Sequence, residues 1–99
     1  MSTELASKID TTFNFKQPKK YKVVMMNDDL TPMEFVIEIL IGIFYKTEAE
    51  AQQITLAIHN TGSGIAGVFN YEVAEQKVYE TTNISRSAGF PLSLKVEEE

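Results

Sequence analysis

Cysteine is absent from the 99-residue chain. That excludes disulfides, thiolate metal sites and cysteine nucleophiles, and it suits a reducing compartment. Histidine occurs once, at His59, with no second histidine and no recurring ligand spacing to make a metal site. Basic side chains are few: nine against fourteen acidic ones, a formal net charge of −5. Such a balance disfavours nucleic acid and anionic membranes as partners. Long apolar runs are missing as well. The longest is broken by Glu38 and is too short to span a bilayer, and no signal peptide is visible, so a cytoplasmic location is expected. Phosphate-cradling loops are absent too. Gly62-x-Gly64-x-x-Gly67 matches the dinucleotide pattern formally, but it leads from a helix into a strand, the wrong context.

What remains is enough for one small domain. The chain is 43% hydrophobic and includes six Phe and four Tyr, which can fill a core. Charge is unevenly spread. Residues 1–20 hold four lysines against Glu4 and Asp10, whereas residues 21–99 hold five basic and twelve acidic side chains. Residues 1–19 lack sustained periodicity and are rich in Ser, Thr, Lys and Asn, so they read as a flexible N-terminal extension to a core at 20–99.

Within that core the expected order is β-α-α-β-α-β. This is an α+β fold with three helices on one face of a three-stranded sheet. The β-favouring run Tyr21-Lys22-Val23-Val24-Met25-Met26 marks a strand over 20–27. Thr31, Pro32 and Glu34 form a Thr-x-x-Glu capping box with proline at the first helical position, opening a helix over 32–45. Its residues are apolar nearly all round, so it should be covered on more than one side. A second box, Thr47 to Glu50, opens a helix to residue 60, with Ala51, Ile54, Leu56, Ala57 and Ile58 inward. Gly62-Ser63-Gly64 reads as a turn, and 65–69 as a strand partly covered on both sides. Asn70 caps a helix over 71–88 with Val73, Ala74, Val78, Thr81 and Ile84 inward. Gly89 ends it, and 92–96 alternates as a final strand before a solvated Glu97–Glu99 tail.

Chemistry concentrates in Asn27-Asp28-Asp29 and His59. Taken alone, Asp28 and Asp29 could be charges placed beside a helix start or paired carboxylates for acid–base work. His59 could be a structural residue bonded to a nearby carbonyl, a hydrogen-bond acceptor, or a ligand in a small metal-dependent or carboxylate/histidine hydrolase. A calcium loop is excluded because the D-x-D-x-D-G spacing is missing. Helical spacing puts Thr55, Ile58 and His59 on one side of their helix, and Met33 and Val36 on one side of theirs. A hairpin of the two helices would line an apolar groove with the acidic loop at its mouth.

Tyr21-Lys22-Val23-Val24, followed by Asn27-Asp28-Asp29-x-Thr31-Pro32-Met33-Glu34-Phe35-Val36, closely resembles the ClpS adaptor family. The likeness continues through Ala57-x-His59, Gly62, Gly67-Val68-Phe69, Glu72-Val73-Ala74-Glu75-x-Lys77-Val78 and Pro91-Leu92, over about residues 20–96. It implies a non-enzymatic adaptor without a cofactor, working as a monomer. Such adaptors recognise proteins whose first residue is bulky, namely Leu, Phe, Tyr or Trp, and deliver them to a ClpA- or ClpC-type AAA+ unfoldase paired with ClpP. By motif position, Asn27, Asp28, Asp29 and His59 would receive the free α-amine. Leu30, Thr31, Met33, Val36, Thr55 and Ile58 would line the side-chain pocket, and Glu72 and Lys77 would dock on the unfoldase. The extension would be fed toward the unfoldase pore. Two departures stand out. Thr55 occupies a position where the family often carries a gating methionine, which implies a roomier pocket open to Ile or Val. Ser93 replaces an apolar residue of the pocket wall.

Overall fold

The computed structural model of the chain describes residues 19–99; the extension expected over 1–19 thus lies, except for Lys19, outside the described residues. Six elements follow in the expected order: β1 (Tyr21–Met26), α1 (Met33–Gly42), α2 (Glu48–Thr61), β2 (Ser63–Phe69), α3 (Tyr71–Ser87) and β3 (Ser93–Glu98). β1 lies in the middle of an antiparallel sheet of order β2-β1-β3. Val23 and Met25 alternate onto the face that meets the helices and are fully buried, joined there by Val36, Leu40, Phe44, Ile58, Ala66 and Leu92.

Helix boundaries depart from local expectation where a tertiary partner intervenes. At the start of α1 the Thr31–Glu34 box does not form, and Pro32 is the cap residue, with no side-chain cap. Asp28 takes the bonds instead: its Oδ1 accepts the Thr31 N–H that Glu34 would receive in a box, and its Oδ2 accepts the Thr31 hydroxyl, both at 2.7 Å. At its end α1 stops at Gly42, three residues early. Lys46 N–H bonds the Leu40 carbonyl, Tyr45 turns left-handed (φ 57°), and Lys77 Nζ reaches from α3 to the Ile43 carbonyl at 2.7 Å. The same ammonium sits 4.8 Å from the Tyr45 ring, 5.4 Å from Phe69 and 5.8 Å from Phe44, a cation–π cage closing the helix end. α1 packs along α2, and Phe35 meets Phe90 edge-on at 4.9 Å, so the helix is covered on two flanks while Ile41 stays partly exposed.

The Thr47–Glu50 box forms in both directions, at 3.1 and 2.9 Å, and Asn70 caps α3 through Val73 N–H. The inward faces differ from expectation. On α2, Leu56 and Ala57 face solvent while Thr55 is buried; on α3, Val73 and Ile84 are exposed while Ser85 joins Ala74 and Thr81 inside. Thr81 and Ser85 hydroxyls have no hydrogen-bond partner among the described residues. Ser63 and Gly64 belong to β2 rather than to a turn, because they pair with Met26 and Met25. Its register jumps from Val23↔Gly67 to Val24↔Ile65, a bulge that skips Ala66. That bulge, rather than cover on both sides, breaks the alternation and leaves Ile65 and Val68 exposed. β3 takes in Glu97 and Glu98, expected as tail, by pairing them with Lys22 and Tyr21, and Leu92 precedes the strand.

Candidate functional site

The candidate site forms at the end of β1. Gly62 caps α2 with a left-handed backbone (φ 96°), a conformation that glycine adopts without strain, and this reverses the chain into β2. Its carbonyl accepts the Asn27 N–H at 2.9 Å. The residue that ends β1 is therefore bonded to the cap of the helix that carries His59, three residues before Gly62 in its last turn. Gly64 has no room for a Cβ, which would stand 2.7 Å from Ile58 Cγ1 and 3.3 Å from the Ile54 carbonyl. Close approach of α2 to β2 thus sets where Ile58 lies. On the other flank of β1, Met26 pairs with Ser93, so Leu92 comes beside the same rim.

Between β1 and α1 the acidic loop is held by one carboxylate. Asp28 Oδ1 accepts from Leu30 N–H at 2.8 Å and Thr31 N–H at 2.7 Å, while Oδ2 accepts from the Thr31 hydroxyl. Partial burial resists ionisation of Asp28, but these hydrogen bonds, led by the Thr31 hydroxyl and aided by the charge of Arg86, outweigh it. They hold the carboxyl below the usual aspartate value. Its folded value lies under its unfolded one, so the ionised loop adds stability above the ordinary aspartate range, and this is lost as pH falls through the lower folded value. Replacing Asp28 with Ala is therefore expected to destabilise the fold most near neutral pH. In urea titrations, the gap to the parent chain should shrink between about pH 7 and about pH 3. A gap independent of pH would contradict this role for the charge.

The expected site residues divide by burial. Asn27, Asp29 and His59 are exposed, and Asp28 and Thr31 half-buried. Leu30 is 72% and Met33 39% exposed, while Val36, Thr55 and Ile58 are buried. The Thr55 hydroxyl donates to the Ala51 carbonyl at 2.7 Å, so it offers no free donor to a pocket. α1 packs on α2, and Val36 from the first turn of α1 and Ile58 from the last turns of α2 belong with Leu92 to one buried cluster. Among the expected site residues, Val36, Thr55 and Ile58 are thus closed over, while the exposed ones are the apolar Leu30 and Met33 and the polar Asn27, Asp29 and His59. Such an arrangement suits a ligand with a cationic head and an apolar body. Among the described residues no three of His, Asp and Glu gather as a metal site.

Glu72 and Lys77 lie elsewhere. Phe69, against which Lys77 rests, pairs with Tyr21 at the start of β1, roughly 20 Å along the strand from Asn27. Glu72 is exposed in the first turn of α3, next to Tyr71, whose ring meets that of Tyr21 at 5.1 Å. Lys77 is half-buried and bound within the cage. Two residues of the site region escape sequence reasoning. Leu92 had a signal, the period-two pattern running from 92 to 96. Arg86 had none, since what it touches is fixed by tertiary structure: Nη1 donates to the Phe90 carbonyl at 3.0 Å and the Leu92 carbonyl at 2.9 Å.

The family model described as ATP-dependent Clp protease adaptor protein ClpS matches residues 16–95. The chain belongs to the ClpS adaptor family. The ATP-dependent Clp protease adapter protein ClpS of Acetivibrio thermocellus is 42% identical over 99 residues, all of both chains. That of Campylobacter jejuni is 48% identical over 83 residues, 84% of this chain and 86% of its own. Among solved structures, Agrobacterium tumefaciens ClpS2 bound to L-phenylalaninamide superposes with a TM-score of 0.80 at 38% identity, covering 84% of this chain and all of that one. ClpS proteins are adaptors of a protease and not enzymes, so Asp28, Asp29 and His59 are not a hydrolytic centre. An adaptor of the Clp protease works with a Clp unfoldase and with the substrates it brings.

Proposed function

We propose that the chain is a cytoplasmic, monomeric adaptor that binds proteins beginning with Leu, Phe, Tyr or Trp and delivers them to a ClpA- or ClpC-type unfoldase and its ClpP partner. The observation that carries this reading is the ligand of the solved relative. L-Phenylalaninamide has a free α-amine, a benzyl side chain and an amide in place of the next peptide bond, so it presents what a chain beginning with Phe presents. In this chain the amine would meet the Asn27 amide oxygen and a neutral His59 ring nitrogen as acceptors, in the negative field of Asp28 and Asp29. The first side chain would enter between α1 and α2, over Val36, Thr55 and Ile58, with Leu30, Thr31 and Met33 at the rim. No bond is made or broken.

The arrangement of the core supports delivery as well. Lys19 and Lys20 lead into β1 at its end remote from Asn27, where Tyr21 meets Tyr71 in the α3 turn that bears Glu72. A docking face at Glu72 and Lys77 would then stand beside the start of β1, away from the bound substrate. Reconstituted degradation tests the reading. With unfoldase, ClpP and ATP, the chain should accelerate loss of a Leu-first reporter and leave a Gly-first reporter unchanged. A chain lacking residues 1–19 should still bind Leu-first peptide but fail to accelerate degradation. Equal rates for the two reporters would overturn the proposal.

A further inference from the structure

We infer that Arg86 is a positioning residue for the amine end of the site, bracing from α3 both the strand start and the acidic loop that flank Asn27. The inference rests on the reading above and extends it to a residue on the third helix. α3 ends at Ser87, and the chain turns at Gly89 (φ 86°) before entering β3. One guanidinium nitrogen spans that turn, donating to the carbonyls of Phe90 and Leu92. The residue after Leu92 pairs with Met26, which directly precedes Asn27. Asn27 is thereby framed on one side by the Gly62 carbonyl and on the other by a strand start that Arg86 fixes. Phe90, held by the same nitrogen, also packs edge-on against Phe35 in the first turn of α1.

Charge gives the second line of argument. Charged and titratable groups at the ends of these elements that border the loop include Asp29, Glu34 in the first turn of α1, His59 in the last turn of α2 and Arg86 in the last turn of α3. The charge of Arg86 favours the ionised Asp28 carboxylate, the group that organises the loop through three hydrogen bonds. A basic residue in the last turn of a helix also has a plain role, since it complements the helix dipole. That role alone would leave Asp28 and the peptide unaffected.

Arg86 is exposed, so its replacements should fold, and two of them separate the readings. Arg86→Gln removes the charge, and Arg86→Lys keeps it. In the peptide-free protein, carbon NMR of the Asp28 carboxyl should show its titration midpoint raised in Arg86→Gln and close to that of the unaltered chain in Arg86→Lys. Affinity for a Leu-first peptide at neutral pH should fall about threefold to fivefold in Arg86→Gln and be largely rescued in Arg86→Lys. The inference is overturned if Asp28 titrates identically in the unaltered chain and Arg86→Gln. It is also overturned if both variants lose affinity equally while the midpoint stays fixed. Failure of the unaltered chain to bind the peptide would instead refute the proposed function, and the Asp28 titration, which needs no peptide, would still decide the link to Arg86.

Discussion

A Leu-first peptide acetylated on its α-amine is expected to bind about a hundredfold more weakly than the same peptide with a free amine. The α-amine has an ordinary pKa near ~8, so at neutral pH it is mostly a compact cation with three donors. In the proposed mode Asn27 and His59 accept from two of them, and the carboxylates of Asp28 and Asp29 favour the charge. Acetylation removes the charge, leaves one donor, and adds bulk where the loop, pinned by Asp28 to Leu30 and Thr31, has little freedom to withdraw. Each acceptor left dry and unpaired costs about 1–3 kcal/mol, so two of them suffice for the stated loss. Calorimetric titration of the two peptides checks it, and chelator should change neither result. Binding of the acetylated peptide at nearly full strength would mean that the amine is not recognised.

Changing the first residue of the free-amine peptide from Leu to Ala should weaken binding by roughly 10- to 150-fold, the equivalent of about 1.5–3 kcal/mol of apolar burial. Val36, Thr55 and Ile58 are buried already in the peptide-free chain, so the floor does not have to assemble on binding. What the peptide adds is cover for the exposed Met33 and Leu30 and burial of its own first side chain. Thr55 is short and its hydroxyl is satisfied within α2, so a branched first residue should fit. Ile-first peptide is expected to bind within about tenfold of Leu-first, and Thr55→Met should widen that gap, because a longer side chain fills the space a β-branch needs. Equal affinity for Leu and Ala would place the recognition elsewhere. Ile binding no worse after Thr55→Met would remove Thr55 from the specificity argument.

Much of this architecture is legible in the sequence because its signals are local. The Thr47–Glu50 box, the Asn70 cap and the β-favouring run of β1 each act over a few residues, and each appears where pattern places it. Local reasoning fails where a partner distant in sequence wins. The cage around Lys77 ends α1 early, and pairing with β1 draws Ser63 and Gly64 into β2 and Glu97 and Glu98 into β3. Thr31 shows the same competition at short range: its N–H could have bonded Glu34 in a capping box, but the Asp28 carboxylate three residues earlier takes it. For the site, the motif names the loop and His59, whereas the hydrogen bond that joins Asn27 to the end of α2 depends on how β1 and β2 align. Arg86 lies beyond any pattern, since its partners Phe90 and Leu92 meet it only after the chain has turned.

Amide NMR during titration with a Leu-first peptide tests the central claim most directly, because it asks where on the chain both ends of the first residue are held. Shifts confined to residues 27–36 and 55–62 and the neighbouring Leu92, with α3 around Glu72 and Lys77 unmoved, are the predicted result. Shifts centred on α3 with Asn27 and His59 silent, at peptide concentrations that saturate binding, would contradict it.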